Sequence, residues 1–211
     1  MDTNLYARFG GDISVPKPIS VVLSGNAVHS TSDTVAASAE ELTARLNAAK
    51  PETIYREGDL CPLFVLQRYN AEEGATFSVK ESRGKVTVLN FWYTDCDPCK
   101  AELPEFEKVY AEYNGAINMV AIHSATAVPR GGVQDFLDNN EDKNHKRWNS
   151  YTLWFAQTTR ELNVYTMLGG RGAWPMTVVL DKEGRISSVI PQKCSESDLR
   201  AAIAKAEQET A

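Results

Sequence analysis

Positive charge is in deficit in this chain. Its 211 residues carry 22 Lys and Arg against 28 Asp and Glu, a net charge of −6. With no basic excess to neutralise phosphates, nucleic acid is excluded as a partner class. Long apolar runs are missing too. None approaches the ~18–20 residues that span a bilayer, and the longest uncharged stretch, Pro18 to Ser32, is diluted by Ser, Asn, Gly and His. No membrane span is expected. Cysteine is scarce: Cys61, Cys96, Cys99 and Cys194 are too few for a disulfide-built mini-protein and too scattered for a zinc ribbon or finger. A four-cysteine zinc site needs a second close pair, which the sequence lacks, so no metal and no cofactor are expected. Met1-Asp2-Thr3-Asn4-Leu5 lacks the charged and apolar regions of a secretory signal. Two expectations follow from that start, a cytoplasmic protein or an exported one whose targeting or anchoring segment has been removed.

What is present is ordinary in bulk. Hydrophobic residues make up 43% and charged residues 24% of the chain, enough to bury a core without disulfide staples. At about 150 residues per domain the length fits one domain with an elaborated end. Residues 1–57 read as that extension. Ile19 to Leu23 is a short β-prone run, and Ser38-Ala39-Glu40-Glu41 fits a capping box opening a helix that Pro51 closes.

From Gly58 to Ala211 the signals strengthen. Leu63–Gln67 and Thr76–Val79 are strand candidates around a turn at 70–74. Lys85–Tyr93 is an apolar, β-branched and aromatic run of the kind buried on both faces of a sheet. Leu103, Phe106, Val109, Tyr110 and Tyr113 keep a helical spacing, with Pro98 in the first turn and Pro104 deeper, where a kink is expected. Ile117–His123 is a second apolar strand, Val133–Leu137 a short helix, 138–147 a charged loop, and Tyr151–Phe155 a further strand candidate. Thr158-Thr159-Arg160-Glu161 fits a capping box opening a helix that Gly169-Gly170 ends. Met176–Leu180 and Arg185–Ile190 flank a turn as a β-hairpin, and Ser195-Glu196-Ser197-Asp198 opens a last helix. The pattern is a mixed central sheet flanked by helices, an α/β sandwich.

The chemistry lies in Cys96-Asp97-Pro98-Cys99. A dithiol that ends a buried strand and opens a helix has a physical logic. The first sulfur meets the unpaired N–H groups of the helix start, where partial positive charge favours thiolate. The second, one turn on, can resolve a mixed disulfide. Asp95, Asp97 and Glu102 crowd the pair with carboxylates. A charge pair at ~6 Å is worth about 0.7 kcal/mol in water and ~2.8 kcal/mol at an effective dielectric of 20, against about 0.3–2 kcal/mol from the helix terminus. The carboxylates oppose the thiolate. A reducing couple is expected, nearer ~−270 mV than the ~−120 mV of the strongest oxidising dithiols.

Residues 91–110, FWYTDCDPCKAELPEFEKVY, resemble the active-site stretch of thioredoxin-fold proteins, in particular the TlpA/ResA-like thiol-disulfide oxidoreductases of bacterial envelopes, members of the redoxin family. The likeness runs through Asn90-Phe91-Trp92, Cys96-x-Pro98-Cys99, Glu102 and Pro104. Gly58…Pro62-Leu63-Phe64 upstream and Trp174-Pro175-Met176-Thr177 with Asp181…Gly184 downstream extend it. It covers about 58–211. The resemblance implies a thioredoxin-like sandwich with an N-terminal β-hairpin, a cis Pro175 facing the cysteines, and catalysis by Cys96, Cys99 and Glu102, the last as proton acceptor for the buried thiol. It implies substrate contacts from Trp92, Asp97, Pro98, Trp174 and Pro175. Trp174 departs from the smaller residue usual there; its ring either meets substrate or packs toward Trp92. The implied partners are disulfide-containing proteins such as apocytochromes and an upstream thiol donor in the membrane, and the implied location is extracytoplasmic.

Other readings remain beside this one. A thiol peroxidase would place a Thr shortly before its cysteine, and Thr94 fits loosely without the accompanying Pro. A Sco-type metallochaperone shares the fold but spaces its cysteines three apart and adds a distal His. Cys61 and Cys194 read as buried small residues, with a structural disulfide between them open. His123 reads as a packing or edge residue, His145 as a solvated loop residue, and Trp148, Tyr151, Trp154 and Phe155 as core. Gly169-Gly170-Arg171-Gly172 does not lead from strand to helix as a nucleotide loop would, and shapes the approach to Pro175.

Overall fold

The structure, a computed structural model, describes residues 54–160 and 162–209. The strand and helix expected within residues 1–53 lie outside the described residues. Seven strands form one mixed sheet: β1 (Val65–Tyr69), β2 (Thr76–Ser78), β3 (Thr87–Trp92), β4 (Asn118–His123), β5 (Trp154–Gln157), β6 (Met176–Leu180) and β7 (Ile186–Ile190). Their order across the sheet is β2-β1-β5-β4-β3-β6-β7. The β3–β4 and β4–β5 pairs are parallel; the hairpins β1–β2 and β6–β7, and the contacts β1–β5 and β3–β6, are antiparallel.

Each parallel pair needs a crossover. Helix α1 (Asp97–Glu112) connects β3 to β4, and α2 (Gly132–Asn139) belongs to the β4–β5 connection. The short α3 (Val164–Met167) precedes β6, and α4 (Glu196–Gln208) closes the chain. All six residues of β3 are buried, as its unbroken apolar run foretells. Alternation along β3 splits the core into two layers. Val88 and Trp92 join Leu103 and Phe106 of α1 and Leu199 and Ile203 of α4. Leu89 and Phe91 join Phe64, Phe77, Val164 and Leu168 on the other face.

Local chemistry explains most boundaries. Ser195 caps α4 by accepting the Asp198 N–H, and Asp198 returns the bond to the Ser195 N–H, the capping box expected from the sequence. Helix α1 runs unbroken through Pro104. The Glu107 carboxylate on α1 accepts the N–H groups of Thr152 and Leu153 at 2.8–3.1 Å and the Lys146 ammonium at 2.8 Å, which fixes the segment ahead of β5.

Two expectations need correction. The helix expected from Thr158 begins only at Val164, capped by the Asn163 side chain. Thr158 is still tied to the sheet, its N–H donating to the His123 carbonyl at 3.1 Å, and its hydroxyl bonds to the Leu162 carbonyl. Nor are Cys61 and Cys194 joined to each other. Cys61 is buried with Leu89 and Phe91, and Cys194 with Val88 and Trp92, so the sheet separates them.

Candidate active site

Strand β3 ends at Trp92, and its chain turns through Tyr93–Asp95 into α1. The Cys96 N–H donates to the Tyr93 carbonyl at 3.1 Å, and the Cys96 carbonyl accepts the Lys100 N–H at 3.0 Å. Cys96 is the N-cap itself, its sulfur 3.2 Å from the Cys99 N–H. Pro98 falls in the first turn, where no N–H is needed. Cys96 and Cys99 form a disulfide, with Cα atoms 5.2 Å apart.

An attacking sulfur at a helix mouth should lie open to its substrate, and in this oxidised pair neither sulfur does. Cys96 keeps 3% of its surface and Cys99 none. In the disulfide Cys96 turns toward Cys99, which belongs to the core under α1, and Tyr93 and Trp174 pack against the same cluster. Asp95, Asp97 and Pro98 are exposed around the pair. The Asp97 carboxylate lies 3.1 Å from the Lys100 ammonium, which offsets part of the negative charge expected to oppose a Cys96 thiolate.

The Trp174–Pro175 peptide is cis. Antiparallel pairing of Phe91 with Met176 sets Pro175 beside the end of β3 that leads to the cysteines. The half-buried Trp174 ring stacks on Tyr165 at 4.0 Å and 9°, and meets Tyr93 edge-on at 5.5 Å. Trp174 therefore packs between these tyrosines and against the cluster that holds Trp92. Trp92, expected to touch substrate, is fully buried among His123, Trp148 and Phe155 and presents no surface to a ligand.

Glu102 is buried one helical turn beyond Cys99, on the inner face of α1. Its Oε1 accepts the Asn90 amide at 2.6 Å and its Oε2 the Cys194 N–H at 2.9 Å. Burial raises its carboxyl to about 7, against the opposing pull of those two donors and of Lys193. A carboxyl that exchanges its proton near neutrality is therefore held behind the dithiol. Cys194 itself is inert: burial and the Glu102 charge push its thiol up to about 12.

One site residue was read as packing only. His123, fully buried at the end of β4, accepts the Thr94 N–H at Nε2 (3.2 Å), and its Nδ1–H donates to the Ser124 carbonyl at 2.7 Å. Burial lowers the imidazole to about 4, so it is neutral and fit to accept. Among the described residues, no three of His, Cys, Asp or Glu converge as a metal site requires.

A redox-active cysteine pair capping a helix, next to a cis-proline loop and backed by a buried acid, defines a thiol-disulfide exchange protein. Comparison with known proteins agrees. The Redoxin profile matches residues 56–203. The thiol-disulfide oxidoreductase ResA of Halalkalibacterium halodurans is 32% identical over 139 residues, 65% of this chain and 69% of that protein. ResA of Oceanobacillus iheyensis is 41% identical over 78 residues, which span 36% of this chain and 41% of its own length. The fold matches a secreted thiol-disulfide isomerase from Corynebacterium glutamicum with a TM-score of 0.56 at 20% identity, over 75% of this chain and 95% of that one. The chain belongs to the redoxin family, and within it is a thiol-disulfide oxidoreductase of the ResA type.

Proposed function

We propose that the protein is a reductase of protein disulfides, working outside the cytoplasm. In the reduced enzyme the Cys96 thiolate attacks a substrate disulfide, forming a mixed disulfide and releasing one substrate thiolate. Cys99 gives its proton to the Glu102 carboxylate and attacks the Cys96 sulfur. The second substrate thiolate leaves, both substrate thiolates take up protons, and the Cys96–Cys99 disulfide remains. An upstream dithiol donor returns two electrons and restores the pair. Asp97, Pro98 and the half-buried Trp174 form the rim that meets the substrate, and Pro175, buried beside the end of β3, sets the course of that loop.

The observation that carries this reading is the oxidised Cys96–Cys99 pair with a carboxyl near neutrality one turn behind it. The acid suits transfer from a buried thiol, because its proton affinity is matched to the working pH. An extracytoplasmic site is supported by the secreted relative of the same fold; among the described residues no helix is long and apolar enough to cross a membrane. Oxidised exported proteins, apocytochromes among them, are the proposed substrates, with a membrane thiol carrier as donor.

The test is capture. Cys99→Ser in a native extract should accumulate mixed disulfides through Cys96, and Cys96→Ser should accumulate none. An insulin-reduction assay unaffected by loss of Cys96 would overturn the reading.

A further inference from the structure

A cavity of about 410 Å3 opens where the loops after β4 and β5 meet α3 and the cis-proline loop. Its volume lies in the range of ligand sites. Its lining is chemically one-sided. The Ser124 and Thr126 hydroxyls are bonded to each other at 2.9 Å and the Thr159 hydroxyl accepts the Leu162 N–H at 3.0 Å, Arg160 and Arg171 bring exposed guanidinium groups, and no described lining residue is acidic. In a chain of net charge −6, this is a local reversal of sign.

The cavity adjoins the cysteine turn. Trp174 lines it, and the same ring meets Tyr93, whose carbonyl holds the Cys96 N–H. The Ser124 N–H donates to the Trp92 carbonyl at 3.0 Å, which lays the β4 loop against the end of β3. The wall between is fixed. The Tyr165 hydroxyl donates to the Ala173 carbonyl at 2.7 Å, and its ring fills the space where a Cβ on Gly170 would stand, 2.4 Å away.

We propose that this cleft is a specificity subsite, which takes a carboxylate-bearing segment of the substrate polypeptide next to the disulfide being reduced. The assignment rests on the reductase reading above. Guanidinium groups bind carboxylates through paired, charge-assisted hydrogen bonds. The Trp174–Tyr165 stack gives the bound segment an apolar wall. Across the site, Asp95 and Asp97 are exposed on the cysteine turn and repel carboxylates from the attack position. Acidic residues are thereby steered to one side of the cysteines, which orients the substrate.

The test uses three synthetic disulfide peptides with one common cystine, flanked by acidic, amide or basic residues. At low salt the reduced protein should reduce the acidic peptide about 5- to 30-fold faster, in kcat/KM, than the amide peptide, and the basic one more slowly still. The preference should shrink toward parity as salt rises. In Arg160→Gln/Arg171→Gln the ratio of acidic to amide rates should fall to about one. In a separate arm, a cysteine-free acidic peptide is titrated into the oxidised protein, and amide shifts at Thr126, Arg171 and Trp174 are expected. Equal rates for acidic and amide peptides in the unaltered protein would overturn the subsite. Shifts at the cleft without reduction of any peptide would uphold the acidic-peptide site and overturn the reductase reading instead.

Discussion

The buried imidazole of His123 accepts the backbone N–H of Thr94, two residues ahead of Cys96. One strand of the sheet thus fixes the turn from which its neighbour presents the reactive sulfur. Thr94 is itself buried, so no solvent stands ready to replace the acceptor. Leaving a buried donor unpaired costs about 1–3 kcal/mol, and His123→Ala would add a cavity beside Trp92. The variant should lose roughly 3–5 kcal/mol of stability in urea unfolding. Exchange of the Thr94 amide proton, slow in the unaltered protein, should become fast. A protected Thr94 amide in the variant would show that the turn does not depend on the imidazole.

Two buried groups give stability opposite dependences on pH. His123 falls from its ordinary 6.5 to about 4 in the fold. Between those values the unfolded chain binds the extra proton, so acidification weakens the fold. Glu102 rises from 4.5 to about 7. Between those values the folded chain binds the extra proton, so acidification strengthens it. Each effect amounts to about 3 kcal/mol over its full window, and the windows overlap from pH 4.5 to 6.5. The two contributions should nearly cancel there. Glu102→Gln should unmask His123, with stability falling as the pH drops from 6.5 to 4. Urea unfolding at four or five pH values checks this, and parallel profiles for the variant and the unaltered protein would refute it.

Much of the sheet was legible because its signals are local. The apolar run of β3, the Asp181–Gly184 turn and the Ser195–Asp198 capping box each lie within a few residues of one another, and each appears where expected. Thr158–Glu161 has the same kind of pattern and did not start a helix, because pairing of β5 with β4 keeps Thr158 in the sheet. Tertiary bonding overrode a local preference.

The site divides in the same way. Cys96 caps α1 and Cys99 and Glu102 lie within it, so spacing alone places the three on neighbouring turns. The contact of His123 with Thr94 joins residues 29 apart in sequence, and periodicity carries no signal for an imidazole meeting a distant amide. The Trp174–Tyr165 stack and the opposite faces of Cys61 and Cys194 are likewise products of strand order. The near burial of Cys96 goes with its disulfide to Cys99 and with a core cluster that Tyr93 and Trp174 pack against.

Glu102→Gln also tests the proposed proton transfer, because the substitution is sterically mild. Gln keeps one acceptor for the Cys194 N–H and turns an amide toward Asn90, whose Oδ1 has no partner among the described residues and can accept after rotation of the amide. The fold should survive. Release of the mixed disulfide by Cys99 should slow by about 10²-fold at neutral pH, while attack by Cys96 changes little. The ionisation near 7 should vanish from the pH profile of the release step. Stopped-flow decay of a chromogenic mixed disulfide separates the two steps, and an unchanged profile would remove Glu102 from the mechanism.

The glycines of the cis-proline loop should respond in two distinct ways. Gly170 has no unusual φ, but a Cβ there would stand 2.4–2.5 Å from the Tyr165 ring. Gly170→Ala must push Tyr165 off Trp174, as overpacking of this kind costs about 1–3 kcal/mol. Gly172, at φ +86°, has open space around the missing Cβ, so Gly172→Ala costs about 1–2 kcal/mol of backbone strain and leaves the rings in place. Both variants should unfold at lower urea. Only Gly170→Ala should lose the near-UV circular dichroism of the stacked rings, and with it part of the rate of peptide-disulfide reduction, because Trp174 both meets Tyr93 of the cysteine turn and lines the cleft. Equal spectral and kinetic losses in the two variants would mean that the loop's backbone, rather than the Tyr165–Trp174 stack, sets the shape of the cleft.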